Sequence, residues 1–149
     1  MTETAANWVK VLFPLEVGPD WPPVSAESAW ATKAASEDEY QVRNIPFFAM
    51  NIAWGDTVRA SPNADGALEV SEIVRSGGHF TIRIILMEGL ETSEAVEELV
   101  RLGCNVERSP YPDLIAIDVP DEPTYALASE LVHGWLGRGK VGVEEAKMP

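Results

Sequence analysis

Apolar and polar positions alternate at the start of the chain. Val9, Val11, Phe13 and Leu15 fall on one side, Lys10 and Glu16 on the other. A period of two predicts a half-buried strand, and Pro14 predicts an edge position or a bend there. The string GPDWPP at 18–23 predicts a turn, because its prolines cannot continue a hydrogen-bonded ladder. Ser25 as an N-cap, Glu27 in a first turn and the alanine-rich stretch 26–35 predict a short helix, with Trp30 on its buried side. Tyr40 to Arg43 reads as a strand, broken at Asn44-Ile45-Pro46 because the residue before proline is driven out of the helical region. Phe47, Phe48, Met50, Ile52 and Trp54 form the densest apolar stretch and are assigned to the core. Gly55-Asp56 turns into a strand over 57–60. SPNADG at 61–66 is a hairpin loop, and 67–75 returns as a strand with Leu68, Val70 and Ile73 inward. Strands joined by tight turns predict a curved sheet or partial barrel carrying one short helix.

After Ser76-Gly77-Gly78 the pattern changes. Phe80, Ile82, Ile84 and Leu86 alternate as a strong strand over 80–87, which is expected to join the cores of both halves. Thr92 or Ser93 opens a helix to Leu102, whose Ala95, Leu99 and Leu102 keep helical spacing before Gly103. A short strand over 104–108, a turn at 109–112 and a strand over 114–119 follow. Pro123 begins a second helix whose buried stripe is Ala128, Leu131, Val132 and Trp135. A last strand is placed at 140–144. Strand, helix, strand, strand, helix, strand is the ferredoxin-like order. The predicted fold is therefore α+β, with a β-rich subdomain over 1–79 and a ferredoxin-like βαββαβ subdomain over 80–149, fused in one globular unit.

VKVLFPLE, DWPPVSAESAWA, YQVRNIPFFAMNIAWGDTV, SGGHFTIR and the ending GRGKVGVEEA resemble strings of the bacterial family named Domain of Unknown Function 4265. The resemblance covers most of the chain. That family has no established activity, so the resemblance implies none here.

Charge and cysteine content narrow the classes that remain. The 149 residues are 46% hydrophobic and 23% charged, the balance of a globular protein. A net charge of −13 repels phosphate backbones and anionic lipid, so neither nucleic acid nor a membrane surface is an expected partner. It would steer a basic protein partner inward, although solubility alone is the plainer reading; a small ligand is the other expected partner. The single cysteine, Cys104, permits no internal disulfide and reads as buried filler. MTETAANW lacks the basic and apolar regions of a secretion signal, and a cytoplasmic location is expected.

Chemistry-bearing residues concentrate near the middle of the chain. Gly77-Gly78 before a strand can present backbone N–H groups to an anion, so Ser76, Gly77, Gly78 and Arg83 are candidate ligand contacts. The plainer reading is a tight turn that needs a positive φ. His79, Asp56 and Asn44 are the candidate catalytic residues, with Asp56 orienting His79 as a general base if they meet in one cleft with Arg83. Ser76, His79 and Asp56 also supply the residue types of a nucleophilic triad, without its motif. His79 and His133 are far apart and no EF-hand spacing occurs, so neither metal nor cofactor is expected. Among five tryptophans, Trp21 lies in a proline-flanked loop and is the candidate interface anchor. Three readings follow: a non-enzymatic binding module, including an immunity- or antitoxin-like cap for a basic partner; a small hydrolase- or lyase-like enzyme using His79 with Asp56 or Asn44; and an assembly subunit that forms a homodimer.

Overall fold

The computed structural model describes residues 8–149. The N-terminal stretch read as lacking a secretion signal lies, up to residue 7, outside the described residues. The architecture is mixed α+β, with nine strands and two helices among the described residues.

Five strands, β1 (Trp8–Pro14), β2 (Ala26–Lys33), β3 (Glu39–Val42), β4 (Thr57–Pro62) and β5 (Leu68–Arg75), form a closed barrel. Successive strands pair antiparallel, and a short parallel pairing of Val11 and Leu12 with Leu68 and Glu69 closes the ring. Val11, Phe13, Ala29, Ala31, Tyr40, Val42, Val58 and Ala60 fill the interior. Ile73, expected inward, is 41% exposed and sits between the two register shifts of the β4–β5 pair.

The predicted helix over 26–35 is strand β2. Burial there has a period of two, with Ala29 and Ala31 buried and Ser28 and Trp30 exposed. Pairing with β1 on one side and β3 on the other outweighs the helix preference of alanine. The small inward side chains suit the narrow interior of a five-stranded barrel. Trp30 points outward, with the Lys10 ammonium 5.0 Å from its ring centroid. Glu27 sits in no helical turn. Its carboxylate accepts the N–H groups of Phe47, Phe48 and Ala49 at 2.6–2.9 Å and pins the apolar loop 44–54.

The second sheet has the order β7-β8-β6-β9, from β6 (Phe80–Leu86), β7 (Asn105–Arg108), β8 (Leu114–Val119) and β9 (Val141–Lys147), with every pair antiparallel. Helices α1 (Thr92–Arg101) and α2 (Glu122–Gly137) cover one face over Ile82, Ile84, Ile115, Ile117 and Val119. Helix α1 is capped by Glu91 rather than by Thr92 or Ser93, and without a side-chain bond. In α2 the Asp121 carboxylate accepts the Thr124 N–H at 2.8 Å.

Strand β6 belongs to the second sheet alone, so it does not run through both cores as expected. It reaches the barrel side through alternate side chains. The Thr81 hydroxyl donates to the Ile52 carbonyl at 2.9 Å. The Arg83 guanidinium, 2% exposed, donates to the carbonyls of Pro46, Phe48 and Ala49 and to Glu144. Loop 44–54 is thus the layer between barrel and sheet, with Ile45, Phe48, Ala49, Ile52 and Ala53 buried and Met50 half exposed.

Candidate functional site

The sequence-predicted polar residues separate into holders of the fold and one residue in a cleft. Asn44 accepts the Trp30 N–H at 2.6 Å. Asp56 is fully buried and accepts the N–H groups of Ala53 and Gly77 and the Lys147 ammonium. The Gly77 N–H therefore points at the chain's own carboxylate. The Gly78 N–H donates to the Ser76 hydroxyl, which also accepts from Lys147. Gly78 has φ +87° and Gly77 packs against the Gly55 carbonyl, which accounts for the glycine pair as a tight turn. Arg83 latches loop 44–54.

His79 is elsewhere. Its Nδ1 lies 2.8 Å from Asp118 Oδ1, so its carboxylate partner is Asp118 and not Asp56. Ser76, His79 and Asp56 form no triad, because Asp56 and Ser76 are engaged with Lys147. Asp118 was not legible as a site residue, since position 118 reads as one polar break in an apolar strand. It faces the barrel side of β8, is 2% exposed, and also accepts from the Asn105 amide at 3.0 Å. In the tautomer that donates from Nδ1 to Asp118, Nε2 carries the lone pair.

The cleft around this pair has a volume of about 570 Å³. It lies where the β7–β8 side of the second sheet faces the barrel. Arg43, Trp54, His79, Asn105, Glu107 and Asp118 supply its polar and aromatic lining, and Ile45, Val100, Cys104 and Val106 its apolar part. The Trp54 and His79 rings are 5.0 Å apart and tilted by 42°. The Arg43 guanidinium carbon is 5.2 Å from the Trp54 ring centroid, and its Nε donates to the Thr32 hydroxyl at 3.1 Å. Burial, and then the charges of Asp118 and Asp121, push the Cys104 thiol up to about 11, so it is a weak nucleophile near neutrality. Burial, and then Asp118, also raise the Glu107 carboxyl above its ordinary value. The arrangement can accept a proton at Nε2 and offer charges of both signs to a ligand.

Among the described residues no group of three or more histidine, cysteine or acidic side chains is placed to hold a metal ion. None of the described helices is long and apolar enough to cross a membrane. His133 sits 3.4 Å from Glu145 on α2, away from the cleft.

Trp21 is 41% exposed and meets Phe48 edge to face, which in turn meets Tyr111. It lines a groove of about 240 Å³ with Ile85 and Leu114, and a second of about 540 Å³ with Phe13 and Met50. Trp30, at 44%, is the more exposed of the two indoles.

Fold and site together define an α+β protein in which a small closed barrel and a helix-backed antiparallel sheet share a cleft. Residues 27–141 match the family described as Domain of unknown function (DUF4265), and the chain belongs to that family. A solved structure described as "Novel crystal structure of a hypothetical protein from Neisseria gonorrhoeae" is similar over 93% of this chain and 93% of that one, with a TM-score of 0.71 and 16% identity. At that identity the likeness extends to the fold alone. No curated protein matches.

Proposed function

We propose that this is a bacterial, cytoplasmic, non-enzymatic binding module whose ligand seats in the cleft around His79. The observation that supports it is the convergence of His79, Asp118, Trp54 and Arg43 on one cavity, while Asn44, Asp56 and Arg83 are bound up in holding the fold. The C-terminal half reads as a ferredoxin-like unit. Its strand order, its antiparallel pairs and its two helical crossovers support that reading. The separate hydrophobic clusters of barrel and sheet support two subdomains meeting near residue 79. The surface charge of −13 suits a basic partner, and an immunity- or antitoxin-like role is the concrete form of that idea. An amide-resolved NMR screen of small molecules, alongside retention of basic proteins at low salt, tests the module reading. Saturable shifts at Trp54, Asn105 and Glu107 support the cleft, and salt-sensitive retention supports the partner form. Neither result in both arms would sink it.

A second reading is favoured by the His79–Asp118 contact, in which His79 Nε2 acts as a general base for a hydrolase- or lyase-like reaction. Asp118 then replaces Asp56 or Asn44 as the orienting group. Turnover that His79→Gln abolishes and Asp118→Asn weakens, with a shifted pH profile, would establish it.

A further inference from the structure

Arg43 is a half-buried cation that no ion pair among the described residues takes up. Arg59 is paired with Asp38, Glu39 and Glu72, Arg75 with Glu39, Arg83 with Glu144 and Arg101 with Glu97. Among the described residues Arg43 is in ion-pair contact with no carboxylate, a property it shares with Arg108 and Arg138. Those two are exposed, whereas Arg43 is half-buried and held at two points, by Thr32 at its Nε and by the Trp54 ring. Among the described residues nothing takes its outer N–H fork, and a pre-ordered fork is what binds a planar carboxylate well.

The sheet side of the cleft has the opposite character. Asp118 is taken by His79 and Asn105, but Glu107 on β7 lies in the same cleft without a basic partner among the described residues. His79 Nε2 is a second acceptor. Ile45 supplies apolar lining beside them. A plain anion in this cleft meets the charge of Glu107, and a plain cation meets Arg43. A molecule carrying both charges satisfies both walls.

We propose that the cleft binds a small zwitterion, an α-amino acid with an apolar side chain, its carboxylate on Arg43, its ammonium on Glu107 and His79 Nε2, and its side chain against Ile45. A volume of about 570 Å³ leaves room for a bulky side chain. The proposal rests on the cleft reading given above and narrows its ligand.

The test is a titration of the full chain, followed through the Trp54 indole and the Asn105 and Glu107 amides. The probes are L-leucine, L-phenylalanine, 4-methylpentanoate, which keeps only the carboxylate, and 3-methylbutylamine, which keeps only the amine. The expected result is saturable binding of an amino acid below about 10 mM, with each single-charge analogue weaker by about tenfold or more. Arg43→Gln and Glu107→Gln should each weaken amino-acid binding by about tenfold, and Glu107→Gln should narrow the gap between leucine and 4-methylpentanoate. The analogue series needs no variant, so a variant that fails to fold does not spoil the test. Equal binding of 4-methylpentanoate and leucine would overturn the zwitterion while leaving the cleft reading intact. No shift at the cleft with any of the four would overturn the zwitterion, and the wider ligand screen then decides the cleft reading separately.

Discussion

Asp56 and Lys147, 91 positions apart in the chain, meet at 2.6 Å where the barrel and the last strand come together. The carboxylate is fully buried and the lysine side chain 15% exposed. Removing one member of such a pair leaves the other charge stranded. Asp56→Ala also strips the Ala53 and Gly77 N–H groups of their acceptor. We expect it to cost about 3–5 kcal/mol. Lys147→Met should cost less, because those two N–H groups still satisfy the carboxylate. Urea unfolding of both variants at neutral pH measures the difference, and equal losses would contradict this division of roles.

Gly77 is required by space. A Cβ there would lie 2.4 Å from the Gly55 carbonyl oxygen, a backbone atom that cannot swing aside. Gly77→Ala should cost about 1–3 kcal/mol through overpacking. Gly137, the last residue of α2, has no atom within 4 Å of an added Cβ, and Gly137→Ala should be neutral or slightly stabilising. Thermal unfolding of the two variants side by side checks this, and a neutral Gly77→Ala would show that the close approach is not held in solution.

These two cases mark what the sequence could and could not show. The period of two in Phe80, Ile82, Ile84 and Leu86 announces β6 because one face must bury against the helices. Gly77-Gly78 announces a turn because few other residues tolerate its geometry. Residues 26–35 mislead because alanine serves a helix and a cramped barrel interior equally well, and only the neighbouring strands decide. Glu27 then looks like a helix-start charge when it holds three loop amides. The candidate site was half legible. His79 was found, but its partner Asp118 lies 39 positions away and no local pattern encodes that distance. Arg43 reads as the end of a strand, because nothing adjacent in sequence shows that it lacks a carboxylate among the described residues.

Cys104 tests whether the floor of the cleft is closed. The residue is 4% exposed, and burial raises its thiol from 9.0 to about 11. Alkylation needs the thiolate, so near pH 8 only about a thousandth of native molecules should be reactive at this site. Iodoacetamide labelling followed by mass spectrometry should be at least about a hundredfold slower for the native chain than for the urea-unfolded one. Comparable rates would mean that the β7 side of the cleft opens readily.

Glu107 gives the pH signature of the same region. Its carboxyl is raised from 4.5 by burial and by the Asp118 charge. The native state therefore holds a proton that the unfolded chain has already released. Stability is highest below the unfolded value and falls as pH rises through the window up to the native value. Glu107 is exposed, so the slope is shallow. Glu107→Gln removes it, and the variant should match the wild type in acid and become the more stable one as pH rises. Urea midpoints across that window read this directly, and parallel curves, or a variant that loses ground as pH rises, would reject the assignment. A bound ammonium beside Glu107 favours the ionised carboxylate and reverses the shift. Amino-acid binding in the same window should then release a proton, and calorimetry in buffers of different ionisation heat reports that release separately from the binding itself.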